Sequence, residues 1–118
     1  MDAMSKFFRI FILLLAVAAA GCTEYQKVMK SDDYELKYET AQKYYNEEDY
    51  ARALTLLENI RSIYRGTDQA AKIDYMIANS YFKQGNYILA GYHFRNISET
   101  YPNSEFTKEA YYKSAYCS

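Results

Sequence analysis

Two stretches of this chain carry one pattern. A-Q-K-Y-Y-N-E-E-D-Y-A-R-A-L-T-L-L-E-N-I, residues 41–60, aligns without a gap to A-N-S-Y-F-K-Q-G-N-Y-I-L-A-G-Y-H-F-R-N-I, residues 78–97, at an offset of 37. Ala41 pairs with Ala78, Tyr44 with Tyr81, Tyr50 with Tyr87, Ala53 with Ala90, Leu57 with Phe94 and Ile60 with Ile97. A unit of this size cannot bury its apolar face alone, so it must stack on its copy. That confines the chain to a repeat architecture. A generic bundle of helical hairpins matches the periodicity but gives no reason for one shared offset.

Each unit reads as two helices, and a single proline leaves little to interrupt them. In unit one a first helix is expected over about 33–47, with Asp32 or Asp33 as N-cap. A turn at Asn46–Asp49 leads to a second helix over about 50–64, ending before Gly66. Unit two repeats this over about 68–84 and 87–101, with Thr67 or Asp68 as cap and a turn at Gly85-Asn86. Pro102 forbids easy continuation, and another first helix is expected near Ser104. The units are thus residues 34–67, 68–103 and, as a first helix only, 104–118.

The spacing Ala-x-x-Tyr, a turn, then Tyr-x-x-Ala-x-x-x-(Leu/Phe)-x-x-Ile resembles a tetratricopeptide repeat. The period departs from the usual value of about 34, and only unit two has the turn glycine and closing proline, Gly85 and Pro102. The resemblance implies an all-α, tetratricopeptide-repeat-like solenoid of antiparallel helix pairs. The alanines at 41, 53, 78 and 90 let paired helices approach, while Tyr44, Tyr81, Leu57 and Phe94 fill the space between.

Ahead of the repeats, Lys6 and Arg9 precede an uncharged run from Ile10 to Ala20. At roughly 1.5 Å per residue this run is short for a hydrocarbon core about 30 Å thick. A basic start, a short apolar middle and small residues at the end describe a secretory signal peptide, residues 1–21. The end A-A-A-G-C resembles a bacterial lipobox, with Ala19 where the strictest form has leucine. That resemblance implies acylation of Cys22 by chains such as palmitate. One chain binds a membrane marginally and two or more anchor it stably. The other reading is cleavage near Ala20 with an incidental thiol at Cys22. Residues 22–33 then form the lipidated cysteine and a polar tether. Cys117 would stand alone, with no disulfide framework, and reads as a small buried apolar side chain.

In this repeat class the first helices line a concave face, and helical register gives the positions that point into it. Unit one offers Tyr38, Gln42, Tyr45 and Asn46, and unit two offers Tyr75, Asn79, Phe82 and Lys83. A further shift of 37 adds Tyr112 and Tyr116. Aromatic faces supply contact area at small entropic cost, and amides can bond to a peptide backbone, so the surface suits an extended peptide. The same positions fit, equally well, rings that pack one repeat against the next.

Catalysis finds no support. His93 reads as a surface or edge residue on a second helix, distant in sequence from Cys117, and the two make neither a metal site nor a nucleophile–base pair. The carboxylates Glu47, Glu48 and Asp49 fit a solvated turn. No phosphate loop or dinucleotide glycine pattern occurs, so no cofactor, metal or small-molecule substrate is expected. A net charge of −1 with neither sign in a long block argues against nucleic acid.

Lipobox, tether C-T-E-Y-Q-K-V-M-K-S-D-D-Y, long-period repeats and the connector Y-P-N-S-E-F together resemble the BamD lipoprotein family. Family members carry more repeats, so the resemblance is to an amino-terminal portion. It implies a periplasmic scaffold of the outer-membrane β-barrel assembly machine, held by its lipid on the outer membrane. The implied partners are assembly subunits and unfolded barrel proteins, the latter taken by the amino-terminal repeats. Thr23 is not the aspartate that favours inner-membrane retention in some bacteria. Two other functions fit the same features: a periplasmic adaptor of this repeat class for cell-wall or division proteins, and a SusD-type glycan-binding lipoprotein. The second would need sugar-stacking loops that residues 34–118 do not contain.

Overall fold

A computed structural model describes residues 3–15 and 24–118 in full, and the backbone alone at 2 and 16–23. The expected acylation site, Cys22, therefore lies outside the fully described residues. The described chain is all-helical, with helices α1 (Asp2–Lys30), α2 (Tyr34–Asn46), α3 (Tyr50–Ile60), α4 (Ala70–Lys83), α5 (Tyr87–Thr100) and α6 (Thr107–Cys117). It divides after Asp32 into two compact units.

The first unit is α1. Its side chains at Phe7, Phe8 and Phe11 are exposed, and Lys27 and Lys30 sit in its last turn, where cations oppose the negative end of the helix dipole. The segment expected as a polar tether is helical as far as Lys30. Among the described residues no helix is long and apolar enough to cross a membrane.

The second unit, Asp33–Ser118, stacks α2 on α3, α3 on α4, α4 on α5 and α5 on α6. This is the expected solenoid of helix pairs. Ala41, Ala53, Ala78 and Ala90 are fully buried, which brings backbones together where a larger residue would hold them apart. Leu57, Ile60, Phe94 and Ile97 are also completely enclosed. The two α5–α6 backbones approach so closely at Gly91 that an added Cβ would lie 2.9 Å from the Cys117 Cβ. Cys117 is accordingly half-buried against the Phe94 cluster, not fully enclosed, and burial raises its thiol pKa.

The turns inside the pairs match residue for residue. The Asp33 carboxylate accepts from the Leu36 N–H at 3.1 Å and caps α2. Asp49 caps α3 by accepting from Arg52 N–H, and its equivalent Asn86 caps α5 by accepting from Leu89 N–H. The residue before each of the caps Asp49 and Asn86 is left-handed: Glu48 at φ 63° and Gly85 at φ 81°.

The connectors between pairs depart from expectation. α3 ends at Ile60 and a series of turns carries the chain to Gln69, so the second helix of unit one is shorter than 50–64. Neither Thr67 nor Asp68 caps α4. Its N-cap, Gln69, makes no side-chain cap bond, while the Thr67 hydroxyl donates back to the Tyr64 carbonyl. α6 begins at Thr107, not near Ser104, because Ser104 serves the connector by accepting from the Phe106 N–H.

Candidate functional site

Side chains of α2, α4 and α6 meet along one side of the second unit. Their link is a chain of polar contacts. Asn79 on α4 donates from Nδ2 to the Tyr45 hydroxyl on α2 at 2.6 Å. Lys113 on α6 donates to Asn79 Oδ1 and to the Tyr75 hydroxyl, each at 3.1 Å, and pairs with Glu109 at 3.1 Å. The Tyr75 hydroxyl in turn bonds to the Glu109 carboxylate.

Lys113 thus has a partner for each of its three protons. Its ammonium also lies between 5.3 and 5.6 Å from the ring centres of Tyr75, Phe82 and Phe94, a cation–π setting. Burial, followed by the neighbouring Glu109, pushes the Tyr75 phenol well above its ordinary range. The bond from Tyr75, ahead of the ion pair with Lys113, holds Glu109 below the usual carboxylate range. At neutral pH the Tyr75 phenol is therefore neutral and Glu109 is a carboxylate.

Beside this chain of contacts lies a cavity of about 240 Å³. Tyr45, Tyr75, Met76 and Phe106 give it apolar walls, and Gln42, Asn46 and Lys72 give it polar ones. Tyr75 stacks on Phe106 at 5.0 Å between ring centres, and Tyr45 meets Tyr50 edge-on at 5.7 Å. The walls accept an apolar side chain, and the two amides and the ammonium can bond to a peptide backbone or an acidic group.

The ten register positions fall into three groups. Gln42, Tyr45, Asn46 and Tyr75 line the cavity, with Asn79 bonded directly behind it. Tyr38 stacks on Tyr64 at 5.4 Å, and Phe82 packs edge-on to Tyr87 and Phe94, so both rings join elements of the fold. Lys83, Tyr112 and Tyr116 are exposed, although the Tyr116 ring reaches Phe82 at 5.7 Å. Tyr38 and Phe82 thus pack within their own repeats, while the other group lines the cavity.

Lys72, Met76, Phe106 and Lys113 escape the register reading. Phe106 lies in a connector, and a shift of 37 meets Gln69, so repetition offers no ring to find. Lys113 maps onto the buried Met76, which gives no hint of a polar hub.

His93 is half-buried, stacked on Tyr81 at 5.4 Å, and its pKa is lowered first by burial and then by Arg61. Among the described residues no group of three His, Cys, Asp or Glu is placed to hold a metal.

In comparison with protein families, residues 30–117 match YfiO, described as an outer membrane lipoprotein. A comparison with curated proteins finds no match.

Proposed function

Because the chain belongs to the YfiO family of outer-membrane lipoproteins, we propose that it is a BamD-like scaffold of the β-barrel assembly machine. In this reading the chain is made with a signal peptide, residues 1–21, and acylated at Cys22. It faces the periplasm from the outer membrane and holds unfolded barrel-protein segments and assembly subunits. The observation that carries the substrate role is the cavity between α2 and α4. It combines four apolar walls with two amides and a free-standing ammonium, which suits an extended chain bearing apolar side chains. The rigid backing by Tyr45, Asn79 and Lys113 fixes those walls before binding, so little ordering is lost when a segment docks. The function is one of holding and positioning, with no chemical step.

The test is site-specific photo-crosslinking in intact envelopes, with the reactive group at Gln42 or Asn46 of the full chain. These positions line the cavity without belonging to the Lys113 contacts. Recovery of unfolded barrel proteins, lost when the reactive group is moved to the outward-facing Thr55, supports the proposal. Recovery of cell-wall or division enzymes instead would replace it with the adaptor reading, and recovery of glycan with the SusD-type reading.

A further inference from the structure

A second cleft, of about 230 Å³, lies between the end of α3, the start of α4 and the end of α5. Its lining includes Arg61, Arg65, Asp74, Asn96 and Thr100. Asp74 is the key to its chemistry. It is buried, with only 4% of its surface exposed, and accepts from Arg61 Nε at 2.7 Å and from the Tyr101 hydroxyl at 3.0 Å. Those bonds fix the Arg61 guanidinium through Nε and leave its two terminal nitrogens as donors. The pairing also secures its charge, first through the bond to Asp74.

The rest of the lining adds donors. Arg65 is exposed, and among the described residues its side chain makes no ion pair or hydrogen bond. The Thr100 hydroxyl donates to Asn96 Oδ1 at 3.3 Å, which occupies the amide oxygen and leaves Asn96 Nδ2 as a donor. Two guanidinium groups and a carboxamide N–H therefore meet in one cleft, and its one carboxylate is spent on Arg61 and Tyr101. Planar guanidinium forks match oxyanions through paired hydrogen bonds.

We propose that this cleft binds a phosphate group, held by Arg61 and Arg65 with Asn96 completing the contacts. Donors arriving from α5 and from the turns after α3 suit a tetrahedral oxyanion, which presents oxygens in several directions, better than a flat carboxylate. The cleft also leaves room for a substituent beyond the oxyanion. Inorganic phosphate and a phospholipid headgroup share the chemistry, and the family's place at the outer membrane makes both accessible. The proposal does not depend on the peptide cavity, since the two clefts share no lining residue.

The experiment follows the arginine Nε–H signals by NMR in the full chain, held in nonionic detergent micelles and titrated with inorganic phosphate. A parallel arm places the full chain in bilayer nanodiscs of phosphatidylcholine with or without phosphatidylglycerol. Saturable shifts of the Arg61 and Arg65 signals with phosphate are expected, with the affinity read from the Arg61 signal weakened on the order of tenfold in Arg65→Gln. Shifts with phosphatidylglycerol but not with free phosphate, again lost in Arg65→Gln, would support the proposal and identify a headgroup as the source. Absence of shifts in both arms, or shifts unchanged by Arg65→Gln, would overturn it. Arg65 has no structural partner, so melting of Arg65→Gln should match the parent and exclude misfolding as a cause.

Discussion

The two repeats share an apolar framework and differ in almost everything charged. At the address shared by Lys37 and Asp74, unit one buries an ammonium and unit two a carboxylate. Lys37 donates to Asn59 at 2.8 Å and lies 5.6 Å from the Tyr34 ring centre. Asp74 accepts from Arg61 and Tyr101, which come from the connectors on either side. The shared offset preserves what helix packing needs, namely volume and shape. It leaves the sign of a buried charge open provided that a neighbouring side chain compensates it.

The largest loss is expected where the two repeats are most alike. Phe94 and its equivalent Leu57 are both fully enclosed. Phe94→Ala should cost about 3–5 kcal/mol and Leu57→Ala about 2–5 kcal/mol in chemical denaturation. A near-neutral result for either would mean that the two helix pairs do not share one inside.

The charged address should separate the repeats. Asp74→Ala leaves Arg61 and Tyr101 without their acceptor, and a loss of about 1–3 kcal/mol is expected, moderated because the Arg61 side chain is 41% exposed. Lys37→Met replaces a buried ammonium by an apolar side chain of similar length, and a change within about 1 kcal/mol is expected. Equal large losses at both would refute the claim that each charge is compensated independently.

The smallest effect sharpens the turn. Glu48 holds φ 63° where unit two has Gly85 at φ 81°. A residue with a Cβ is strained there by roughly 1–2 kcal/mol, part of which glycine returns as unfolded-state entropy. Glu48→Gly should therefore raise stability by about 0.5–1 kcal/mol, measured by thermal melting. A fall in stability would show that the Glu48 side chain contributes something the turn geometry does not reveal.

What was legible in the sequence follows the same division. The alanines and the large apolar residues recur because backbone approach and enclosed volume recur, so an offset of 37 finds them without a structure. The internal turns were readable for a similar reason: Asp49 and Asn86 are good caps at the same step of the pattern. The connectors were not. Their turns after Ile60 and before Thr107 follow no repeat, and a cap was expected at Thr67 or Asp68 where Gln69 stands without one.

The cavity was half legible. Register supplied Gln42, Tyr45, Asn46 and Tyr75, because one helical face is one set of spacings. Lys113 could not be found that way, since its value depends on Glu109, Tyr75 and Asn79 converging in space from two helices.

The account rests on that cavity being a preformed peptide site. The most direct measurement is fluorescence anisotropy of a labelled, unfolded barrel-strand peptide titrated with the full chain, alongside the double variant Gln42→Ala, Asn46→Ala. Both side chains line the cavity and neither belongs to the Lys113 contacts. The account predicts binding weakened on the order of tenfold or more with melting unchanged. Equal affinity in the parent and the variant would contradict it.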